Sequence, residues 1–60
     1  MRMLRINDVK KITGLSHMTI YRLIKKKEFP SPVKLTVKTS VWPENEVRQF
    51  IKRRMEERAA

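Results

Sequence analysis

The sequence predicts one small domain that is mainly α-helical and carries a single β-hairpin. Three observations carry that prediction. Gly14 and Ser16 separate two short segments whose apolar residues recur at helical spacing. Two β-branched runs, Val33–Thr36 and Thr39–Trp42, follow the break at Pro30 and Pro32. A third apolar stripe, Val47, Phe50, Ile51 and Met55, begins just after Pro43. The 60 residues make a single domain, 1–60, and a chain this short buries only about 60% of the surface it exposes when unfolded.

Residues 1–5 read as a basic arm, with Arg2 and Arg5 around apolar Met3 and Leu4. A helix-turn-helix follows over 8–27. Asn7 or Asp8 can cap the first helix by accepting hydrogen bonds from free N–H groups of its first turn. That helix runs to Thr13, with Ile6 stapling its start, and Gly14 ends it in a left-handed conformation that avoids a Cβ clash. Ser16 caps the second helix, which runs from His17 to Lys27. Its Ile20, Leu23 and Ile24 sit at i, i+3 and i+4 and form one buried stripe. At 100° per residue the opposite face carries Met18, Arg22 and Lys25, flanked by Tyr21 and Lys26. Pro30 and Pro32 exclude further helix. The hairpin, or wing, occupies 33–42 and turns at Val37–Lys38 without the Gly or Asn that a primed turn prefers. Pro43 suits the first position of a third helix over 43–58, where Glu44 and Glu46 complement the positive end of the helix dipole. The expected core draws on Ile6, Val9, Ile12, Leu15, Ile20, Leu23 and Ile24, then Phe29, Val33, Leu35, Val41 and Trp42, and finally Val47, Phe50 and Ile51.

Charge narrows the function. Fifteen Lys+Arg against six Asp+Glu give +9 and a pI near 10.7, a potential that attracts polyanions and repels itself. Nucleic acid is the first candidate. The chain has no cysteine, which excludes disulfides and thiolate metal sites. Charged residues are too frequent for a membrane span, and Arg2, Arg5, Asp8, Lys10 and Lys11 interrupt any secretory h-region. A cytoplasmic, nucleoid-associated location is expected. No paired carboxylates, histidine cluster or glycine-rich phosphate loop suggests catalysis, so no enzyme, cofactor, metal or small-molecule ligand is expected.

The stretch Val9-Lys-Lys-Ile-Thr-Gly-Leu-Ser-His-Met-Thr-Ile-Tyr-Arg-Leu-Ile24 has the spacing of a helix-turn-helix. Its apolar residues weld the two helices and leave His17, Met18, Thr19, Tyr21, Arg22, Lys25 and Lys26 outward or sideways. In such a motif the side chains near the start of the second helix reach base edges, while Arg and Lys farther along meet phosphates. Arg22 can donate two hydrogen bonds to a guanine or hold a phosphate. Tyr21 can contact the sugar-phosphate backbone or pack at the wing base. Met18 and Thr19 can touch a thymine methyl, and Thr19 can equally brace the Ser16 cap. His17, at the first helical position, suits a phosphate or base contact. The Lys25–Lys27 run serves phosphates or simply a solvated helix end, which cations favour. Lys52-Arg53-Arg54 reads as a solvated run with Lys52–Glu56 and Arg53–Glu57 pairing at i,i+4. Trp42 and Phe50 read as core anchors.

The segments ITGLSHMTIYRLIKKKEFPSPVKL, SVWPENEV and FI resemble the AlpA-like prophage regulators, over roughly residues 4–52. The most specific parts are the Thr-Gly-Leu-Ser turn, the Thr-Ile-Tyr-Arg run, Phe-Pro-x-Pro-Val-Lys-Leu, and the spacing from Trp42 to Glu46-Val47. The resemblance implies a winged helix-turn-helix related to phage excisionases and the MerR DNA-binding domain. By position it puts Ser16, His17, Thr19, Tyr21 and Arg22 on a recognition helix, and Lys34 and Lys38 on the wing. Lys10, Thr36 and Lys38 depart from the family pattern, which usually has a small residue, a glycine and an arginine there. The implied function is sequence-specific regulation of transcription in a prophage or integrated mobile element. The alternatives are an excisionase-like directionality factor that bends DNA and recruits an integrase, and a non-specific nucleic-acid or protein-interaction module. Implied partners are double-stranded DNA, further copies of the chain on DNA, and an integrase or RNA polymerase, with no membrane.

Overall fold

Leu4 decides how the chain begins. In the computed structural model, which describes residues 2–59, its side chain is wholly buried. Met3–Leu4 form a strand, β1, not a free arm. Met1, also assigned to that arm, lies outside the described residues, as does Ala60. Burying this side chain is worth ~1.5–3 kcal/mol, comparable with the backbone freedom of about 1–2 kcal/mol per residue that the stretch gives up, and the pairing with β3 adds to it. The remaining elements are α1 (Ile6–Thr13), α2 (His17–Lys25), β2 (Val33–Thr36), β3 (Thr39–Pro43) and α3 (Glu44–Ala59). The architecture is three helices with a small antiparallel sheet, and it fits a winged helix-turn-helix. The sheet has three strands in the order β1-β3-β2, one more than the expected hairpin. Met3 pairs with Pro43 and Leu4 with Trp42.

Each helix end has a local cause. The first helix starts at Ile6, earlier than expected, because Arg5 occupies the cap position and its N–H donates to the Asp8 carboxylate at 3.2 Å. Asp8 thus serves from the third helical position and not as the cap itself. Gly14 has φ 74°, and its N–H donates to the Lys10 carbonyl at 2.8 Å. Thr13 closes the same end, its hydroxyl donating to the Val9 carbonyl at 2.7 Å and accepting from the Leu15 N–H at 3.2 Å. Helix α2 stops at Lys25, short of the expected Lys27. Lys27 has φ 61°, the only positive φ at a non-glycine among the described residues. Its N–H donates to the Ile24 carbonyl at 3.0 Å, and that of Glu28 to the Leu23 carbonyl at 2.9 Å. This is a Schellman closure with lysine where glycine is usual. Pro43 ends β3 instead of opening α3, and the Glu44 N–H, which has no acceptor within its own helix, donates to the Arg2 carbonyl at 2.8 Å.

Leu4, Val9, Ile20, Phe29, Trp42 and Val47 form one buried cluster, ringed by Ile6, Ile12, Leu15, Leu23, Ile24, Phe50 and Ile51. Val33 and Leu35, expected in this core, are 42% and 59% exposed. They lie on β2, an edge strand whose four residues are all exposed, with an irregularity between Lys34 and Thr36. On α3 the ion pairs are Arg48–Glu44 at 2.7 Å and Arg54 with Glu28 at 2.9 Å and Glu57 at 3.7 Å. The expected Lys52–Glu56 and Arg53–Glu57 pairs are not among those of the described residues; Arg54 takes Glu57 and also lies over the Phe50 ring at 5.2 Å.

Two measurements follow from these features. Leu4→Ala removes a fully buried side chain and is expected to cost about 2–5 kcal/mol; a free arm would give no change in thermal unfolding. The left-handed positions respond in opposite directions. Gly14→Ala meets open space and so incurs only the backbone cost of about 1–2 kcal/mol, reduced by the ~0.4–1 kcal/mol through which alanine restricts the unfolded chain. Lys27→Gly relieves the same cost and, after the added freedom of the unfolded chain, raises stability by about 0.5–1 kcal/mol.

Candidate nucleic-acid interface

The orientation of α2 is set at its first turn. Ser16 is extended (φ −76°, ψ 160°); its Oγ accepts from the Thr19 N–H at 3.2 Å and its hydroxyl donates to Thr19 Oγ1 at 2.9 Å. Of the two roles open to Thr19, bracing the cap is the one its hydroxyl performs, and its side chain is half-buried. Ile20 is wholly buried and Leu23 and Ile24 partly so, which fixes the inner face. Met18, Arg22 and Lys25, at i, i+4 and i+7, share the opposite face and are exposed, Met18 by 74%. His17 and Lys26 are exposed beside them.

Tyr21 stands where α2 meets the wing. Its ring lies edge-on to Trp42 with centroids 6.3 Å apart, and His17 lies edge-on to Tyr21 at 4.8 Å. It packs at the wing base and is still 39% exposed, so both of its expected roles are open to it. Trp42 itself is buried, with its indole N–H donating to the Pro30 carbonyl at 2.9 Å. Lys34 and Lys38 on the wing are exposed.

A cleft of about 310 Å³ joins these parts. Its walls are Arg5, Ile6, Asn7, Tyr21, Lys38, Ser40 and Trp42. Tyr21 and Lys38 therefore share one concavity, and Lys34 sits across the hairpin from Ser40. Arg5 belongs to the basic arm expected beside the DNA, whereas nothing in the sequence points to Asn7 or Ser40. Ser40 lies on β3 opposite Lys34, and the pairing of β1 with β3 brings Arg5 and Asn7 beside it.

The sign of the surface is uniform. The six acidic residues are Asp8, Glu28, Glu44, Glu46, Glu56 and Glu57, leaving none between Val9 and Lys27 or between Phe29 and Pro43. Every ion pair among the described residues uses Glu28, Glu44 or Glu57, and none involves His17, Arg22, Lys25, Lys26, Lys34 or Lys38. Such a surface offers cations and hydrogen-bond donors to a polyanion.

Residues 2–55, from the first strand through most of α3, match the family described as prophage CP4-57 regulatory protein (AlpA). The chain belongs to the AlpA family. The match takes in every candidate site residue. The chain is also 48% identical over 46 residues to the uncharacterized protein ORF88 of Enterobacteria phage P4, covering 77% of this chain and 52% of that protein. It thus spans about half the length of this relative. No solved structure matches. AlpA membership accords with the resemblance seen in the Thr-Gly-Leu-Ser turn and the Thr-Ile-Tyr-Arg run.

For this AlpA-family member, Ser16→Ala is expected to cost about 1 kcal/mol through loss of the cap, and Ser16→Gly only a few tenths. Thermal unfolding of the two variants is the measurement; an unchanged midpoint in Ser16→Ala would mean that the Ser16–Thr19 contact does not hold the helix.

Proposed function

We propose that the chain is a sequence-specific duplex-DNA-binding regulator of transcription in a prophage or integrated mobile element. In this reading α2 lies in the major groove, and the wing and the start of α1 hold the flanking backbone. The observation that carries it is the acid-free surface of α2 and the wing, whose cations are exposed while the ion pairs gather on α3 and Glu28. Met18, His17 and Arg22 near the start and middle of α2 read base edges. Lys25, Lys26, Lys34, Lys38 and the Tyr21 hydroxyl meet phosphates, and Ser16 and Thr19 fix the helix start. AlpA membership supports the regulatory part of the reading.

A single module of this kind buries on the order of 600–1,000 Å², so specificity calls for several copies side by side or a partner such as an integrase or RNA polymerase. An excisionase-like role uses the same contacts and adds bending of the DNA. The exposed apolar tip of the wing, with Val37 93% exposed, favours that second reading. Either role acts on chromosomal DNA in the cytoplasm.

The test is binding to a duplex that the protein itself selects from a random pool, against scrambled duplexes across a salt series. With about five phosphates neutralised, log K falls against log salt with a slope near −4.5. Arg22→Ala costs ~1–3 kcal/mol on the selected site and flattens the preference, whereas Lys25→Ala weakens all duplexes alike. Equal affinity of the wild type for selected and scrambled duplexes would leave only a non-specific polyanion binder.

A further inference from the structure

The wing displays apolar surface that the fold does not use. Val37 is 93% exposed, the highest value among the large hydrophobic residues, and Leu35 follows it on the wing at 59%. Val37 occupies a two-residue turn, where Gly, Asn or Asp would serve the backbone better. A β-branched side chain standing in water there adds nothing to the core and does not form the turn. The turn is held instead by Thr36, whose hydroxyl accepts from the Lys38 N–H at 3.2 Å, and by the irregularity between Lys34 and Thr36. The tip is thus braced from below while its apolar side chain stands free.

Its surroundings select the occupant. Lys34 and Lys38 flank the two apolar residues, and no acid lies between Phe29 and Pro43. Lys38 also lines the cleft shared with Tyr21 of α2, so the tip adjoins the surface presented by the recognition helix. An apolar point between two cations suits a polyanion with an apolar interior, and a stacked duplex has that composition. Proteins that enter the minor groove commonly drive apolar side chains between base steps while their cations hold the phosphates. A lipid surface asks for a broad apolar face, which Val33, Leu35 and Val37 on one narrow hairpin do not supply.

We infer that the wing is an apolar wedge: Val37, backed by Leu35, enters the minor groove beside the α2 site, opens one base step and kinks the duplex. This rests on the DNA-binding reading above and adds deformation to it. Pyrimidine–purine steps unstack most easily, so the wedge also confers a preference for TA or CA at a position where no hydrogen bond reads the bases.

The experiment measures end-to-end energy transfer in a doubly labelled 30-base-pair duplex selected by the wild-type chain, at saturating protein. The wild type is expected to kink it by about 20° or more. Val37→Ser, and Val37→Ser combined with Leu35→Thr, are expected to lose at least half of that angle with unchanged thermal unfolding, while Val37→Ile retains it. Replacing the step beneath the wing with AA is expected to lower affinity for the wild type more than for Val37→Ser. Binding without a kink, or an undiminished kink in Val37→Ser, would overturn the wedge and leave the DNA-binding reading intact. Failure to bind any duplex at low salt would remove both. Wild-type binding to phosphatidylglycerol vesicles that is lost in Val37→Ser, with the DNA angle unaltered, would assign the tip to a membrane and overturn the wedge.

Discussion

The position of Trp42 is the constraint on which the other elements depend. It sits on the central strand, opposite Leu4 of β1, wholly buried, with its one polar atom satisfied by the Pro30 carbonyl. A buried indole N–H left unpaired would cost about 1–3 kcal/mol, a large share of what a 60-residue chain has to spare. That hydrogen bond ties the hairpin to the segment leaving α2. The Tyr21 ring against the indole ties the hairpin to α2 itself, and His17 against Tyr21 carries the contact to the start of that helix. The angle between α2 and the wing is thus set by packed aromatic rings. A rigid angle is what lets two separate surfaces meet one duplex in register.

Much of this was legible in the sequence because the signals were local. Ser16 and Gly14 mark helix ends through hydrogen bonds within four residues, and Ile20, Leu23 and Ile24 fix the buried side of α2 by period alone. Once that side is known, the exposure of Met18, Arg22 and Lys25 follows. The strands of the wing were legible from their β-branched residues. What stayed hidden depends on partners distant in sequence. A strand of two residues, Met3–Leu4, has no period, and its pairing with Trp42 and Pro43 spans most of the chain. Arg5 and Asn7 reach the candidate site only through that pairing. Val33 and Leu35 look like core because alternation says which residues share a face, but not whether anything covers it. The Lys25–Lys27 run conceals the end of α2, since lysine gives no sign that its backbone turns left-handed. Arg54 adds to its helical neighbour Glu57 a shorter pair with Glu28 across the fold, which i,i+4 counting cannot foresee.

Stability and charge pull in opposite directions in this chain. Seven side chains form the buried apolar set, while most of the cations stand unpaired and repel one another. The few acids are spent where they brace structure: Asp8 on the first turn of α1, Glu44 on α3, and Glu28 joining the exit of α2 to Arg54. Surface pairs contribute at most ~1 kcal/mol each, so their effect is more to neutralise α3 than to strengthen it. The consequence is a molecule whose positive potential is left undiluted on α2 and the wing. A bound polyanion would screen that repulsion, and binding to the folded state alone adds stability by mass action.

Two features run against folding, and both adjoin this surface. Lys27 holds a left-handed backbone where glycine would be relaxed, and Val37 and Leu35 stand in water on an edge strand, which is where sheets risk pairing with other chains. The Lys27 backbone is offset by the two hydrogen bonds that close α2, but its side chain has no ion pair among the described residues, and Leu35 and Val37 are not among the side chains packed on the core. Local departures from the folding optimum concentrate where a side chain is needed for something other than folding. In the proposed DNA-binding reading that need is a cation at the exit of α2 and an apolar point at the hairpin tip. Both are consistent with one ligand, because a duplex presents phosphates on its rim and stacked bases within, and meeting it takes cations and an apolar edge on the same rigid frame.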